Sequence, residues 1–505
     1  MSNNSNNIIK RIYIAVDVTL ASPLSICNGL SKNTDNDILK NSLGEIFIPG
    51  TSLAGAMRNY LENDNNSKSI FGYANGNEGE MSSLFIADTY IDKTNISVRD
   101  GVGLNKDKIA IDNQKYDYEI VETGKGTIRI EVIIRKYDEN KDKLKDICKI
   151  LKGISNGDIR FGYKKNRGLG KLKVTKVYKW EFDKASVKDW LKFNEKTLEE
   201  QKHLENCVWE NWQNYNNLEV DKKYISISLP LKLTGGISIR KYSTMVYNVN
   251  FEHITIQQLY ENGVKTHNLP IISGTSWAGA IRHRAEKILN QLKCSEAKSE
   301  QLIKKWFGYV DTDNDDTKNK ACQSMIVIDE SILKNSNPLI TVRNNVNRFS
   351  GTTVEGALYK EKAYFGGDTV LKIKVQKDKD GLYKSLIALL YLVMKLILFD
   401  GFYAVGQSSI SSESSHSVTE HFSRTLRSIS IFILPQTSCT LCLKSTKPFT
   451  NFSIRLAECS YAYQCPFSSN RYAWRISVDS NCRMSFGVII WRIKYRELHI
   501  SLWLF

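Results

Sequence analysis

Thr51, Ser52 and Arg58 offer two hydroxyls and a guanidinium within two turns of one helix, a set suited to holding a phosphate. They belong to the stretch Ile48-Pro49-Gly50-Thr51-Ser52-Leu53-Ala54-Gly55-Ala56-Met57-Arg58. It returns 224 residues later as Ile272-Ser273-Gly274-Thr275-Ser276-Trp277-Ala278-Gly279-Ala280-Ile281-Arg282. Seven of the nine positions from Gly50 to Arg58 are identical in the second copy, so a whole structural unit has been duplicated. Gly50 and Gly274 supply a permissive backbone. Thr51, Ser52, Thr275 and Ser276 are natural N-cap residues, which predicts a helix tip with free N–H groups. Leu53, Met57 and Leu61, like Trp277, Ile281 and Ala285, recur every four residues and face a core. The small residues Ala54, Gly55 and Ala56 let another backbone, of protein or nucleic acid, come close. A capped core helix would show much of this pattern. Retention of both Arg58 and Arg282 favours an anion-binding role.

A second basic constellation is Arg160-Phe161-Gly162-Tyr163-Lys164-Lys165-Asn166-Arg167-Gly168-Leu169-Gly170-Lys171. Lys164, Lys165, Arg167 and Lys171 surround Gly162, Gly168 and Gly170, a composition that fits a sugar–phosphate chain without reading bases. Arg99 and Arg343, in the matching Val-Arg segments, are candidates of second rank. Tyr73 and Tyr309 have the rings to stack on bases, although core packing accounts for them equally well. Cys439-Thr440-Leu441-Cys442 has zinc-knuckle spacing, but no second Cys/His pair stands at a suitable distance, so no metal site is expected there.

The elements that carry these residues follow one order twice. A strand over residues 8–20 leads through the Asn/Asp/Ser-rich loop 28–43 to the first signature helix. Phe71-Gly72-Tyr73, a strand at Leu84–Asp88, Val98-Arg99-Asp100-Gly101-Val102, the run 116–124, a strand over 126–135 and a helix over 141–154 follow. The second copy answers with a strand over 224–233, its helix, Phe307-Gly308-Tyr309, a strand at Met325–Asp329, Val342-Arg343-Asn344-Asn345-Val346, a strand over 369–375 and a helix over 383–398. This order predicts an α+β fold with helices on one face of an antiparallel sheet, ferredoxin-like in each copy. The division expected is a first domain over 1–182, a helical linker over 183–223 docked through Trp190, Trp209 and Trp212, a second domain over 224–410, and an atypical tail over 411–505. Beyond Gln407 serine and cysteine become frequent and lysine scarce, as a shifted reading frame would produce, and the second unit is expected to lack its final strand.

Composition sets the outer bounds. The 505 residues carry a net charge of +16, from 70 Lys+Arg against 54 Asp+Glu, which points to a polyanionic partner and to nucleic acid before a membrane. The polar start is not a signal peptide, the apolar run 386–399 is broken by Lys395, and the cysteines before residue 400 are scattered. These features suit a cytoplasmic protein without a membrane anchor.

Together the doubled Gly-Thr-Ser…Arg segment, Arg99-Asp100-Gly101-Val102 with residues 116–124, and the glycine-rich loop 160–171 resemble the RAMP superfamily of CRISPR-associated proteins. More narrowly, the two fused units resemble the backbone subunits of type III effector complexes, in the manner of the III-D branch. The resemblance covers about residues 8–180 and 224–410. It implies RRM-like units that wrap a guide RNA, each inserting a hairpin thumb that kinks the guide–target duplex. It also implies target-RNA cleavage with Mg²⁺ or another divalent cation at an aspartate in the loop before the signature helix. Asp35 stands at the family's distance from Gly50, and Asp37 is the runner-up. An Asn/Asp turn is the competing reading of that loop. The corresponding second loop, 235–269, has only Glu252 and Glu261 as acids, and His253 reads as a packing or surface residue. The second unit is therefore expected to bind without cutting. The partners implied are guide RNA, single-stranded target RNA and other type III subunits. The alternatives are a non-catalytic RNA-binding scaffold and a histidine-dependent guide-processing nuclease, to which the seven histidines give little support.

Overall fold

The computed structural model describes residues 7–29, 33–61, 65–105, 110–138, 142–217, 223–241, 249–257, 268–310, 321–347, 349–378 and 380–399, and beyond them the short segments 410–411, 442–445, 452–455, 491–495 and 498–503. The first repeat is a βαββαβ unit. Its sheet runs Leu84–Ile86, Ala110–Arg135, Ile8–Leu20, Leu172–Asp183, with every neighbour antiparallel. The second repeat has the same order in Ile326–Ile328, Asp368–Gln376, Tyr224–Leu233, Ile410–Ser411. This is the ferredoxin-like arrangement in both copies.

Alternation along Ile8–Leu20 explains the two sides of the first sheet. Ile12, Ile14, Val16 and Val18 are buried on one face against the helices Gly50–Leu61 and Lys143–Ser155. The intervening Ala15 and Tyr13 face Tyr178, Trp180 and Phe193 on the other. Asp142 caps the Lys143–Ser155 helix by accepting from Lys145 N–H. Gly157, at φ 67°, ends it, its N–H donating back to the Ile154 carbonyl. Gly153 lies where a Cβ would come within 2.8 Å of the Tyr60 ring, so the two helices meet at a glycine.

The expected linker is docked. Val187–Asn194 and Leu198–Lys202 are helical, and Glu210–Asn217 forms 3₁₀ turns. Phe193 closes the outer face of the first sheet, and Trp190 Nε1 donates to the Tyr13 hydroxyl at 3.0 Å. Trp209 and Trp212 join the main core, Trp209 edge-on to Tyr215.

In the second repeat the predicted stripe Trp277, Ile281 and Ala285 is buried, and Leu386 to Leu390 with Val393 and Met394 fill the core from the helix Leu382–Phe399. Among the described residues no helix is long and apolar enough to cross a membrane. Cys27, Cys148, Cys207, Cys294 and Cys322 are free thiols. The tail contributes a sheet of Cys442–Ser445, Phe452–Arg455, Leu498–Trp503 and Trp491–Tyr495; Cys439 and Gln407 lie outside the described residues.

Two readings of the second repeat change. Its edge strand aligns one residue later than the sequence match of Met325–Asp329 with Leu84–Asp88. Ser82 Oγ bonds the Ile70 and Leu84 carbonyls, and Ser324 Oγ bonds those of Trp306 and Ile326. Asp88 therefore corresponds to Glu330, not to Asp329. The final strand, expected to be lost, is present as Ile410–Ser411 against Leu233 and Lys232, two residues where the first repeat has twelve.

The folded chain divides into two compact units along lines other than the repeat boundaries. One holds Met1–Lys222, Ile237–Ser276 and Ile328–Gly367, the other Lys223–Gly236, Trp277–Val327 and Asp368–Phe505. Segments of the second repeat thus belong to the first compact unit. Trp209→Ala removes a large ring from the first core and is expected to lower the stability of that unit by about 3 kcal/mol, read from urea unfolding by near-UV circular dichroism. A change below about 0.5 kcal/mol would show that the linker is not part of the core.

Candidate nucleic-acid interface

Both signature helices begin at their glycine: Gly50–Leu61 and Gly274–Gln291. A Cβ on Gly50 would lie 2.2 Å from the Ile86 carbonyl oxygen, and one on Gly274 2.6 Å from that of Ile328. Only glycine permits this approach. The contact pulls the helix start forward by one residue, and capping differs from the expectation. Asp88 Oδ1 accepts from Gly50 N–H at 2.7 Å, and the Pro49 carbonyl accepts from Ser52 and Leu53. In the second copy Ser273 Oγ accepts from Ser276 N–H at 3.2 Å and also bonds the Thr275 and Ser276 hydroxyls. Thr51, Ser52, Thr275 and Ser276 are first-turn residues rather than caps, and at the first tip the N–H groups of Gly50, Ser52 and Leu53 are already engaged.

What both helices present outward is one line of positions. Thr51, Gly55 and Arg58 are exposed, and so are Thr275, Gly279 and Arg282. Nothing lies within 4 Å of the place a Cβ would occupy on Gly55 or Gly279. Residues i, i+4 and i+7 share a helix face, so a hydroxyl, an open backbone patch and a guanidinium align over roughly 10 Å. Arg282 shares its charge with Glu286 at 3.2 Å.

The glycine-rich loop is less open than its composition predicts. Lys164, at φ 51°, is turned into a cage of tyrosines: its Nζ donates to Tyr116 Oη at 2.7 Å and lies 3.9 Å from the Tyr118 ring centre and 5.3 Å from that of Tyr163. Burial, with Arg167 nearby, lowers its pKa to about 8. Gly168 (φ 101°) and Gly170 (φ 78°) pack against protein, a Cβ on the latter falling 1.8 Å from the Phe161 carbonyl. Lys171 lies along Gly157. Lys165 and Arg167 remain half-exposed.

The second-rank arginines are likewise engaged. Arg99 is buried, its Nη2 3.9 Å from Glu330 Oε2, and burial raises the pKa of that carboxyl. Arg343 Nε lies 3.2 Å from Glu361, which also pairs with Arg240. Tyr73 and Tyr309 are half-buried, beneath Lys68 and Lys304 at 5.6 and 5.8 Å. Lysine over the tyrosine after the Phe-Gly turn thus recurs in both repeats.

Asp35 is exposed, and Asp37 is buried. Asp37 organises the loop: Oδ1 accepts from Thr34 N–H and hydroxyl, both at 2.9 Å, and Oδ2 from Asn33 N–H at 3.2 Å. Glu119 Oε2 holds Ile38 N–H at 2.9 Å, which fixes the loop to the long strand Ala110–Arg135. On that strand Asp117 trades hydrogen bonds with Asp35: each backbone N–H donates to the other's carboxylate at 2.9 Å. Asp35 therefore stands beside the middle of the hairpin formed by Asp92–Leu104 and the start of Ala110–Arg135, where Asp117 pairs with Asp100, a neighbour its sequence position alone does not reveal. The second hairpin, Asn337–Arg343 with Tyr359–Phe365, exposes Leu339, Ile340, Val342 and, in its connecting loop, Phe349.

His253 is a packing histidine. Nδ1 accepts from Ile239 N–H, Nε2 faces the Ile271 carbonyl at 2.8 Å, and burial lowers its pKa to about 4. Glu261 lies outside the described residues. Among the described residues no three His, Cys, Asp or Glu side chains converge as metal ligands.

The RAMP superfamily model matches residues 17–173 and 257–409, more than half of the chain, and each segment falls on one repeat. The chain belongs to the RAMP superfamily, whose members bind RNA and work in multi-subunit complexes. No curated protein matches it.

Lys164 generates a test of the loop's packing. Folded, it releases its proton near pH 8; unfolded, near 10.5. Between these values the unfolded chain binds more protons, so this residue's contribution to stability rises with pH. The wild type should gain stability relative to Lys164→Met from pH 8 to 10 in urea titrations. A relative loss in that window would contradict the buried cage.

Proposed function

We propose that this chain is a double backbone subunit of a type III CRISPR effector complex. It holds guide RNA through both repeats and cuts the paired target RNA at Asp35. The repeated outward line Thr-x₃-Gly-x₂-Arg carries the reading. Two equivalent helices offer a phosphate-binding pattern with room for a backbone, on a chain of net charge +16. The apolar hairpin of the second repeat has the character of a wedge for a nucleic-acid stack. Thr51, Ser52, Arg58, Lys165, Arg167, Thr275, Ser276 and Arg282 form the RNA-facing set. Gly50, Arg99, Lys164, Gly168, Gly170, Lys171, Gly274 and Arg343 support it from within the protein.

The donor set at the loop consists of hard carboxylate oxygens on an exposed residue, which fits Mg²⁺ or a similar cation that keeps most of its water. Asp35 would hold it, with Asp117 adjacent, and the cation would stabilise charge on the scissile phosphate. Asp35 also orients the neighbouring 2′-hydroxyl. The 2′ oxygen bonds to phosphorus and loses its proton, while the bond to the 5′ oxygen breaks and that oxygen takes a proton. The products are a 2′,3′-cyclic phosphate and a 5′-hydroxyl. Asp37 shapes the loop without meeting the RNA.

A non-cleaving scaffold is the second reading, favoured by the absence of aspartate from the sequence of loop 235–269. The assembled complex decides between them. Asp35→Asn should slow at least one cut of guide-complementary RNA by about 100-fold or more with guide retention unchanged. Full cutting by that variant rejects Asp35, and uncut RNA with the wild-type complex establishes the scaffold. Arg58→Ala should weaken RNA binding and flatten its log–log salt dependence by roughly 0.7, the share of a single phosphate neutralised by one cation. An unchanged slope would remove Arg58 from the interface.

A further inference from the structure

Within the first compact unit, hydrogen-bond register shows which residues of the second repeat stand where Asp35 and Asp117 stand in the first. Leu39 N–H donates to the Ile26 carbonyl at 2.7 Å, and Ile254 N–H to that of Ile239 at 3.0 Å. The next residues, Lys40 and Thr255, pair antiparallel with Ile46 and Pro270, each four residues before its helix glycine. Four residues back from Leu39 is Asp35; four back from Ile254 is Asn250. The hairpin strands give the same match. Asp117 N–H donates to Asp35 Oδ2 at 2.9 Å, and Lys360 N–H donates to Asn250 Oδ1 at 2.8 Å. Asn250 therefore occupies the place of Asp35, and Lys360 that of Asp117. Spacing along the chain hides the equivalence, because Thr255 and Pro270 are 15 residues apart whereas Lys40 and Ile46 are six.

The exchange inverts the charge. Asn250 keeps the acceptor that positions the loop, loses the anionic oxygen and offers amide N–H donors instead. Lys360 brings an ammonium where Asp117 has a carboxylate. Asn250 N–H, with no carboxylate to reach, donates to the Lys360 carbonyl at 2.9 Å. Among the described residues the Lys360 ammonium has no hydrogen-bond or ion-pair partner. Asn250 is exposed and Lys360 half-buried. Two residues along each segment, Glu119 is answered by Lys362 and Asp37 by Glu252, which stands in register with Lys241 and Lys362. The buried carboxylate of Glu361 serves both Arg240 (3.1 Å) and Arg343 (3.2 Å), so these three groups leave one positive charge over. Two adjacent carboxylates suit a divalent cation. An amide and an ammonium in a positive field repel one and attract a phosphate oxygen.

We propose that Asn250 and Lys360 hold a phosphodiester of the target RNA directly, without a metal, at the place where the first repeat would hold a divalent cation. The Lys360 ammonium neutralises the phosphate and the Asn250 amide donates to it. An ammonium carries no coordinated water, and no carboxylate remains there to orient a 2′-hydroxyl, so the contact grips the strand without cutting it. The loop stays in the same position in both repeats, because the bond from the hairpin strand to the Asp35 or Asn250 side-chain oxygen is preserved. What differs is the sign of the charge presented there. The inference rests on the RNA reading of the chain but not on cleavage at Asp35.

The test measures binding of guide-complementary RNA to the assembled complex across a salt series, once in EDTA and once in Mg²⁺. Lys360→Gln keeps the backbone bond to Asn250. It should weaken binding about fivefold in both buffers and flatten the log–log salt dependence by roughly 0.7, the share of one phosphate. Lys360→Arg should restore wild-type binding. Asn250→Asp combined with Lys360→Asp recreates the pair of the first repeat. That double variant should bind about tenfold more weakly than the wild type in EDTA, and Mg²⁺ should close most of the gap. If it fails to fold, the two single variants at Lys360 still decide. An unchanged salt slope for Lys360→Gln, a loss that arginine does not repair, a deficit that Mg²⁺ leaves in place, or an effect on guide retention instead of target binding overturns the proposal, while intact wild-type binding keeps the RNA reading. A wild-type complex that binds no RNA overturns both.

Discussion

The contact on which the rest depends is the seating of each signature helix on a strand carbonyl through a glycine. A Cβ at Gly50 or Gly274 would overlap backbone oxygen, not a movable side chain, so no rotamer change relieves it. That seat fixes where the helix begins and how it is rotated. Leu53 and Met57, or Trp277 and Ile281, then turn into the core, and Thr, Gly and Arg of the same helices turn out. The outward line thus has the register that the inward seat imposes.

Charge in this molecule is divided between interior and surface. Arg99 and Arg160 are buried against Glu330 and Asp329, and Lys164 is held among three tyrosines. Removing these cations from water has a cost that only partners can offset. They therefore fix the hairpin, the glycine-rich loop and the second repeat's edge segment relative to one another within the first compact unit. Arg58, at the surface, keeps its hydration and stays available to a polyanion. The buried arginines cancel against their carboxylates in the net charge of +16, so of these cations only Lys164, held by tyrosines, is withdrawn from the basic surface.

The acidic loop shows the same division on a smaller scale. Asp37 uses both oxygens within its own turn, and Glu119 fastens that turn to the hairpin strand. Asp35, two residues away, is left exposed and linked to Asp117. Two aspartates of like sequence environment acquire different roles because a turn of this length can point only one of them inward.

Residue order alone determined the duplication, the ferredoxin-like βαββαβ plan, the docked linker and the inward stripes of both signature helices. Those follow from periodicities of two and about 3.6, which local geometry imposes on any sheet or helix. It did not determine the helix caps, because Asp88 reaches Gly50 from 38 residues away. Nor did it distinguish Lys164 from Lys165, since the tyrosines that enclose Lys164 come partly from a distant strand. The one-residue shift that pairs Asp88 with Glu330 was settled by hydrogen-bond register, to which identity matching is blind. Only the tertiary structure decided which cations face solvent, because burial is a property of what other segments bring near.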